Sequence, residues 1–381
     1  WIYKPPVRKR GESERDWYFR NMGTRTDGNI PFGIVSEFKR RNYFPASAFQ
    51  TPVYWLLKHY TKPTLAFVID LLNHATESFS KSDYASSDER ETVTLYLPGN
   101  KFIDQLGSMG LWCMFRGTGI STPYLLQSVL MALEKFLLET ASEGLEKKEI
   151  FQDYIEQILT KSKGVSLTAV VASVAQAYPM IVGKWVVPLF SHRKLLYWDV
   201  TRYQRDFNPL NLRPLPSDYI FWLERNESKK LPHRLKHNPG LKGFIVDYCF
   251  NVREHNTEIF SLLDKLKKKA KRNDWEWKKI LVEIDIRNWQ ITKTERIEDG
   301  VRYQIEPVHK GRLKEEVQKM QEDAAFFLDS GEKSSWLLRV NDGKQETDLS
   351  KWRGIINEYW ELEVANPLYH HPGIAAAISI P

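Results

Sequence analysis

The sequence predicts a mainly α-helical fold of stacked antiparallel helices, a degenerate α-solenoid carrying two inserted β-hairpins. Three observations lead there. Apolar residues recur at helical spacing in one short segment after another. The connections between these segments are only a few residues long, as antiparallel neighbours require. Each segment is too small to bury its apolar face except against the next, and no fixed repeat length emerges, so the repeats are read as degenerate.

Composition sets the frame. Hydrophobic residues make up 42% and charged residues 27% of the 381 residues, the balance of a chain that folds around a packed core. Thirteen Trp, 17 Tyr and 19 Phe supply rigid apolar bodies for helix packing, with some left over for a partner surface. The 55 Lys and Arg exceed the 48 Asp and Glu by a net charge of +7, a mild basic excess that does not by itself indicate nucleic acid. With Cys113 and Cys249 alone, a disulfide framework and a four-Cys zinc site are excluded, and a cytoplasmic location is expected. Polar residues interrupt the apolar runs Leu125 to Leu138 and Val165 to Ala177, so neither a membrane span nor a signal peptide is expected. A chain opening at Trp1 and closing on the apolar run Gly373 to Pro381 reads as a piece of a longer polypeptide.

Residues 1–50 are rich in basic residues, Gly, Pro and aromatics without periodicity, and read as an irregular N-terminal segment. A first helical half is expected over 51–208. Thr51-Pro52 marks a helix start with Pro at the first helical position, followed by Val53, Leu56, Leu57 and Tyr60. Pro63 opens the next helix, whose stripe is Leu65, Phe67, Val68, Leu71, Leu72 and Ala75. Thr92 to Leu97 alternates polar and apolar residues, Pro98-Gly99-Asn100 supplies a turn, and Phe102 and Ile103 resume, giving the first hairpin. After a glycine-rich, flexible stretch from Gly107 to Gly119, Thr122-Pro123 starts the clearest helix, with Leu125, Leu126, Val129, Leu130, Leu133, Phe136 and Leu137 on one broad face. Helices are expected again at about Lys148 to Lys161, Ser166 to Tyr178 and Met180 to Ser191.

Pro209, Pro214, Pro216, Pro232 and Pro239 mark 209–242 as a Pro-rich connector, after which a second helical half spans 243–381. Its helices run through Cys249, then Ile259, Leu262, Leu263 and Leu266, then from about Trp275 to Trp289. Asp299-Gly300 between alternating flanks places the second hairpin near 295–305. Helices resume near Gly311 to Leu328 and Ser350 to Glu363, the latter with Trp352, Ile355, Ile356, Tyr359 and Trp360 on one face.

The chemistry-bearing residues are sparse. Arg116-Gly-Thr-Gly-Ile-Ser-Thr122 leads into a helix N-terminus, which makes Gly117, Gly119 and Thr122 a candidate anion site. Ile120 stands near where a P-loop needs its Lys, so the plainer reading is a connector. His233 and His237 have the i, i+4 spacing of two metal ligands, but Pro232 and Pro239 bracket them and a third ligand is missing; adjacent His370 and His371 diverge. Glu283 and Asp285 would share a face on a strand and could hold Mg²⁺, whereas a helix pairs Glu283 with Arg287 and is preferred. No metal ligand set and no catalytic residue are therefore assigned. Lys265, Lys267, Lys268, Lys269, Lys271 and Arg272 form the densest charge run, a candidate nucleic-acid contact and otherwise a solvated helix end. No aromatic interleaves the run, so it carries no single-strand signature of its own.

Gly117 to Leu138, Ser166 to Ala177 and Leu196-Tyr197-Trp198-Asp199, with Asn366-Pro367 and His371-Pro372-Gly373, resemble the helical region of large bacterial ATP-binding proteins, the STAND and related AAA-type NTPases of antiphage (antiviral) defence. The resemblance implies helical repeats that sense or scaffold while a nucleotide-binding module sits elsewhere. That family's ATP-site residues have no counterpart here, so the resemblance implies no cofactor in this segment and places ATP with Mg²⁺ in the rest of the protein. The implied partners are other domains of the same polypeptide, a protein ligand or a second copy. The expected role is a non-catalytic scaffold or sensor segment that mediates protein or ligand recognition. The alternative is a nucleic-acid-binding or nucleolytic domain using the basic helix.

Overall fold

The computed structural model describes residues 11, 13, 32–34, 43–82, 90–116, 122–207, 219–235, 240–297, 300–341, 346 and 348–365. They are mainly helical, with two antiparallel two-stranded sheets. The chain divides into two units, Trp1–Ala270 with Leu281–Ile305, and Lys271–Ile280 with Glu306–Pro381. Among the described residues no helix is long and apolar enough to cross a membrane.

In the first unit, α1 (Val53–His59) has Pro52 at its cap, one residue earlier than expected, and buries Val53, Tyr54 and Leu57 while Leu56 and Tyr60 face out. Helix α2 (Thr61–Lys81) begins two residues before Pro63, which the first turn tolerates because its N–H groups have no helical partner anyway. Its stripe is buried as expected except for Phe67, which is exposed.

The first hairpin pairs β1 (Glu91–Leu97) with β2 (Lys101–Gly107) around Gly99 and Asn100, which take φ values of +81° and +60°. These left-handed residues make the tight turn that the right-handed strand twist favours. The flexible stretch expected from Gly107 begins instead with α3 (Met109–Cys113), capped by Ser108, and a 3₁₀ turn over Met114–Arg116, both packed into the core. Gly107 marks close packing rather than freedom: a Cβ there would sit 2.6 Å from Trp198 and 2.7 Å from Val93.

Helices α4 (Tyr124–Ser142), α5 (Lys148–Lys161) and α6 (Val165–Ala177) follow. α4 packs on α6, and both are buried on nearly every side, including the polar Gln127, Ser128, Glu134, Thr168 and Ser173. The single helix expected over Met180–Ser191 is split into a one-turn α7 (Pro179–Val182) and a 3₁₀ helix over Gly183–Phe190. Gly183 at φ +59° ends the α-helical turn, and Pro188 has no N–H to continue it.

Helix α8 (Arg193–Phe207) is followed by α9 (Tyr219–Lys229) and a 3₁₀ turn over Pro232–Arg234, both inside the stretch read as connector. Then come α10 (Gly240–Asn251) and α11 (Asn256–Lys269), and α12 (Trp275–Glu283), whose residues up to Ile280 belong to the second unit. The helix expected to reach Trp289 stops at Glu283; Asp285 caps a 3₁₀ turn by accepting from the Arg287 N–H at 3.1 Å, and Trp289 opens a strand. The second hairpin, β3 (Trp289–Ile297) and β4 (Gly300–Pro307), is thus longer than 295–305, with Asp299 outside the described residues.

In the second unit, α13 (Arg312–Asn341) continues past the expected end at Leu328, and α14 spans Leu349–Ala365. Trp336, Leu337, Val340 and Ile355 form its core, with Trp352 and Ile356 packed against them.

Candidate nucleic-acid interface

Three elements of the first unit meet around an open groove of about 580 Å³. Alternation along β1 turns Val93, Leu95 and Leu97 into the core and leaves Thr94 and Tyr96 outward. The pairing register sets Phe102 directly across from Tyr96 and Lys101 across from Leu97. Opposite the hairpin tip, α11 buries Ile259, Leu262, Leu263 and Leu266, which leaves Lys265, Lys268 and Lys269 exposed. The Gly183–Phe190 turn adds Lys184 to the groove wall.

Lys101, Lys184 and Lys265 line this groove, and Glu258 is the sole carboxylate among its described lining residues. A fourth cation, Lys269, places Nζ 2.5 Å from the Tyr96 hydroxyl and 5.2 Å from the centre of its ring. Phe102, 69% exposed, presents its ring at the groove edge. Lysines can neutralise phosphates while aromatic rings stack on bases, and the groove brings the two together from separate parts of the chain.

The expected basic run is divided by the structure. Lys265 lines the groove, Lys269 steadies Tyr96, and Lys268 borders a neighbouring depression with Phe260 and Asp264. Lys267 turns the other way and donates to the buried Asp285 carboxylate at 2.5 Å, where Arg287 also donates at 2.7 and 2.9 Å. Burial alone would raise the Asp285 carboxyl; hydrogen bonds from Arg287 and Lys267 overcome that and hold it below the usual range. Lys267 is a structural counter-charge. Lys271 and Arg272 follow the end of α11 and belong to the second unit.

Of the remaining candidates, Gly117, Gly119, His237, His370 and His371 lie outside the described residues. Thr122 is buried, its hydroxyl accepting from Gln127 at 2.8 Å. Glu283 receives Lys242 at 2.6 Å while Asp285 is ringed by cations, so the two carboxylates serve different ion pairs. Arg287 engages Asp285 and Asp264, where a helical spacing had placed it against Glu283. Among the described residues no group of three or more His, Cys, Asp or Glu is arranged to hold a metal ion.

Sequence reasoning missed a buried ionic cluster beneath α4. Glu134 accepts from Arg234 Nη2 at 2.5 Å and from Ser173 Oγ at 2.5 Å, and lies 3.5 Å from Arg116 Nη1. Burial would raise its carboxyl, but Arg234 and Arg116 reverse the effect and keep it below the usual range. Its signal was legible: one carboxylate amid Val129, Leu130, Leu133, Phe136 and Leu137 must find partners or stay out of the core. His233 Nε2 lies 3.2 Å from Ser173 Oγ and accepts from Arg234 Nε at 3.3 Å. This is no catalytic triad, because the serine proton goes to Glu134 and the imidazole lone pair is shared with Arg234. Burial and the adjacent Arg234 push His233 down to about 3, so it is neutral at physiological pH.

A second cluster centres on Asp199, which accepts from Trp112 Nε1 at 3.0 Å, Arg202 Nε at 2.7 Å and the Leu241 N–H at 2.8 Å. It ties α3, α8 and α10 together and presents no reactive group to solvent.

Compared with known proteins, the chain matches no family model, and no curated protein sequence matches it.

Proposed function

We propose that this chain is the helical recognition body of a larger cytoplasmic protein and that the groove between the first hairpin and α11 binds nucleic acid. The observation behind the proposal is the convergence of Lys101, Lys184, Lys265 and Lys269, from three separate elements, around a groove with one carboxylate among its described lining residues. A phosphate polymer laid there would release condensed counterions, which makes affinity fall steeply with salt. The ion-paired state of Glu283 and Asp285 favours binding over cleavage, so we read the site as a recognition surface. Its framework motifs support placing the larger protein among the STAND or AAA-type NTPases of antiphage defence, with ATP and Mg²⁺ bound outside this segment. We read the stack of helices as a layered bundle, since α4 and α6 are enclosed on almost all sides where a solenoid one helix pair thick would leave a face open.

The test is fluorescence anisotropy with labelled DNA and RNA across a salt series. Binding at low salt is expected, and Lys101→Glu with Lys265→Glu should abolish it while leaving the thermal melt intact. Absence of binding to every nucleic acid at about 50 mM salt, where phosphate contacts are strong, would refute the proposal.

A second reading, protein docking, is favoured by one observation: Trp55, Leu56, Tyr60 and Phe67 are exposed together along α1 and α2. Pull-downs comparing the chain with a Trp55→Ser, Tyr60→Ser variant distinguish it, because that variant should lose a protein partner and keep nucleic acid.

A further inference from the structure

We infer that the groove takes a single strand, with an unpaired base stacked on Phe102, and that it does so with little sequence preference. This rests on the reading of the groove as a nucleic-acid interface and goes beyond it by naming the form of the ligand.

The two aromatic rings of the hairpin tip are in different states. Tyr96 and Phe102 are cross-strand partners and so share one face of the sheet. Tyr96 is already engaged, its hydroxyl and ring both facing the Lys269 ammonium. Phe102 is 69% exposed and lines the same groove. Lys101 precedes it in the chain, and Lys184 and Lys265 stand on the other walls. An exposed apolar ring in a lysine-lined groove matches a nucleotide, whose base offers a π-face and whose phosphates lie on either side of it. In a duplex the base faces are hidden by stacking, and the ring would find nothing to cover it.

The preference for sequence follows from the donors present. Reading a guanine edge in a duplex commonly takes the paired N–H fork of an arginine, and none of the described groove-lining residues is Arg. Lysines contact phosphates as point charges, and stacking accepts every base.

The hairpin that carries Phe102 is anchored before any ligand arrives. The Leu106 N–H donates to the Lys163 carbonyl at 2.7 Å, Gln105 bonds to the Leu159 carbonyl and Thr168, and the Tyr96 N–H donates to Ser191 Oγ at 2.9 Å. The base and the flank of the hairpin are thereby tied to α5, α6 and the residue that ends the Gly183–Phe190 turn.

The experiment uses the full 381-residue chain and fluorescein-labelled 20-nucleotide single strands of DNA and RNA, with the blunt duplex of the same sequence as the other arm. The single strands should bind at least roughly tenfold tighter than the duplex, and Phe102→Ala should weaken them roughly 5- to 150-fold, the value of one stacked base. Phe102→Trp should restore binding, and the salt slope should be unchanged in both variants because no charge is altered. Lys265→Gln should instead reduce the slope by about one unit. The exposure of Phe102 makes the variants safe for folding, which matching thermal melts verify. Equal affinity for duplex and single strand, or an inert Phe102→Ala, would overturn the single-strand inference while lysine-dependent binding kept the interface itself standing. Loss of salt-dependent binding on every arm would overturn both.

Discussion

Replacing Glu134 by alanine tests the buried ionic cluster most directly. The carboxylate is 3% exposed, and the two arginines facing it, Arg116 and Arg234, are 2% and 5% exposed. The substitution removes the carboxylate that both guanidinium groups face in the core. Breaking a buried pair this way costs about 3–5 kcal/mol, because the remaining charge keeps its desolvation penalty. At about 2 °C per kcal/mol for a body of this size, the melting temperature should fall by roughly 6–10 °C. Urea unfolding followed by circular dichroism should show a lower midpoint at unchanged slope. Glu134→Gln keeps the shape and one acceptor oxygen and should fall between the two.

The pH dependence adds a second reading of the same cluster. Because the folded-state Glu134 carboxyl is held below its ordinary value, its stabilisation is complete above about pH 4.3 and is lost as pH falls through the lower folded value. His233, pushed down to about 3, acts in the same direction, its contribution being full above about pH 6.5 and lost as pH drops toward the folded value. Glu134→Gln should therefore flatten the acid end of the stability profile. A Glu134→Ala protein melting within about 1 kcal/mol of the parent would refute the reasoning, since the arginines would then be solvated rather than dependent on the carboxylate.

Two further outcomes follow from neighbouring side chains with different duties. Lys267→Gln should destabilise the fold by about 1–3 kcal/mol, because it strips a hydrogen-bonding cation from Asp285, whereas Lys265→Gln should leave the melt unchanged and weaken nucleic-acid binding. Both cysteines are buried and burial pushes the Cys249 thiol up to about 12, so a disulfide reagent at pH 8 should find neither thiol in the native protein and both after denaturation.

Much of the fold could be read from local pattern. The stripe of α4, the two hairpins and the lysine-rich face of α11 are where apolar spacing and turn residues put them. The failures have physical causes. Helix α9 was hidden because its apolar residues 219–223 run consecutively, without a 3.6-residue period, between Pro216 and Pro232; the structure leaves Tyr219, Ile220 and Leu223 exposed and buries Arg225. The split at Gly183 depends on one positive φ, which hydrophobic spacing does not register. The candidate site was half visible: the lysines announced themselves, but their sorting into groove-lining Lys265 and core-facing Lys267 depends on where Asp285 lies. The aromatic partners come from a hairpin some 173 residues away, so no local window could join them to the run.

The span of these tertiary bonds also shapes how the protein must be made. Ser47 donates to Glu224, 177 residues downstream, and Glu134 waits 100 residues for Arg234. At ribosomal speeds of about 5–20 residues per second, roughly 9–35 s pass between the synthesis of the first pair's two members. Once Ala177 completes α6, α4 and α6 still lack Arg234, Glu224 and the later helix α10 that packs on α6. Any truncation between 208 and 233 removes Arg234 and leaves the Glu134 carboxylate in the core without one of its two guanidinium partners.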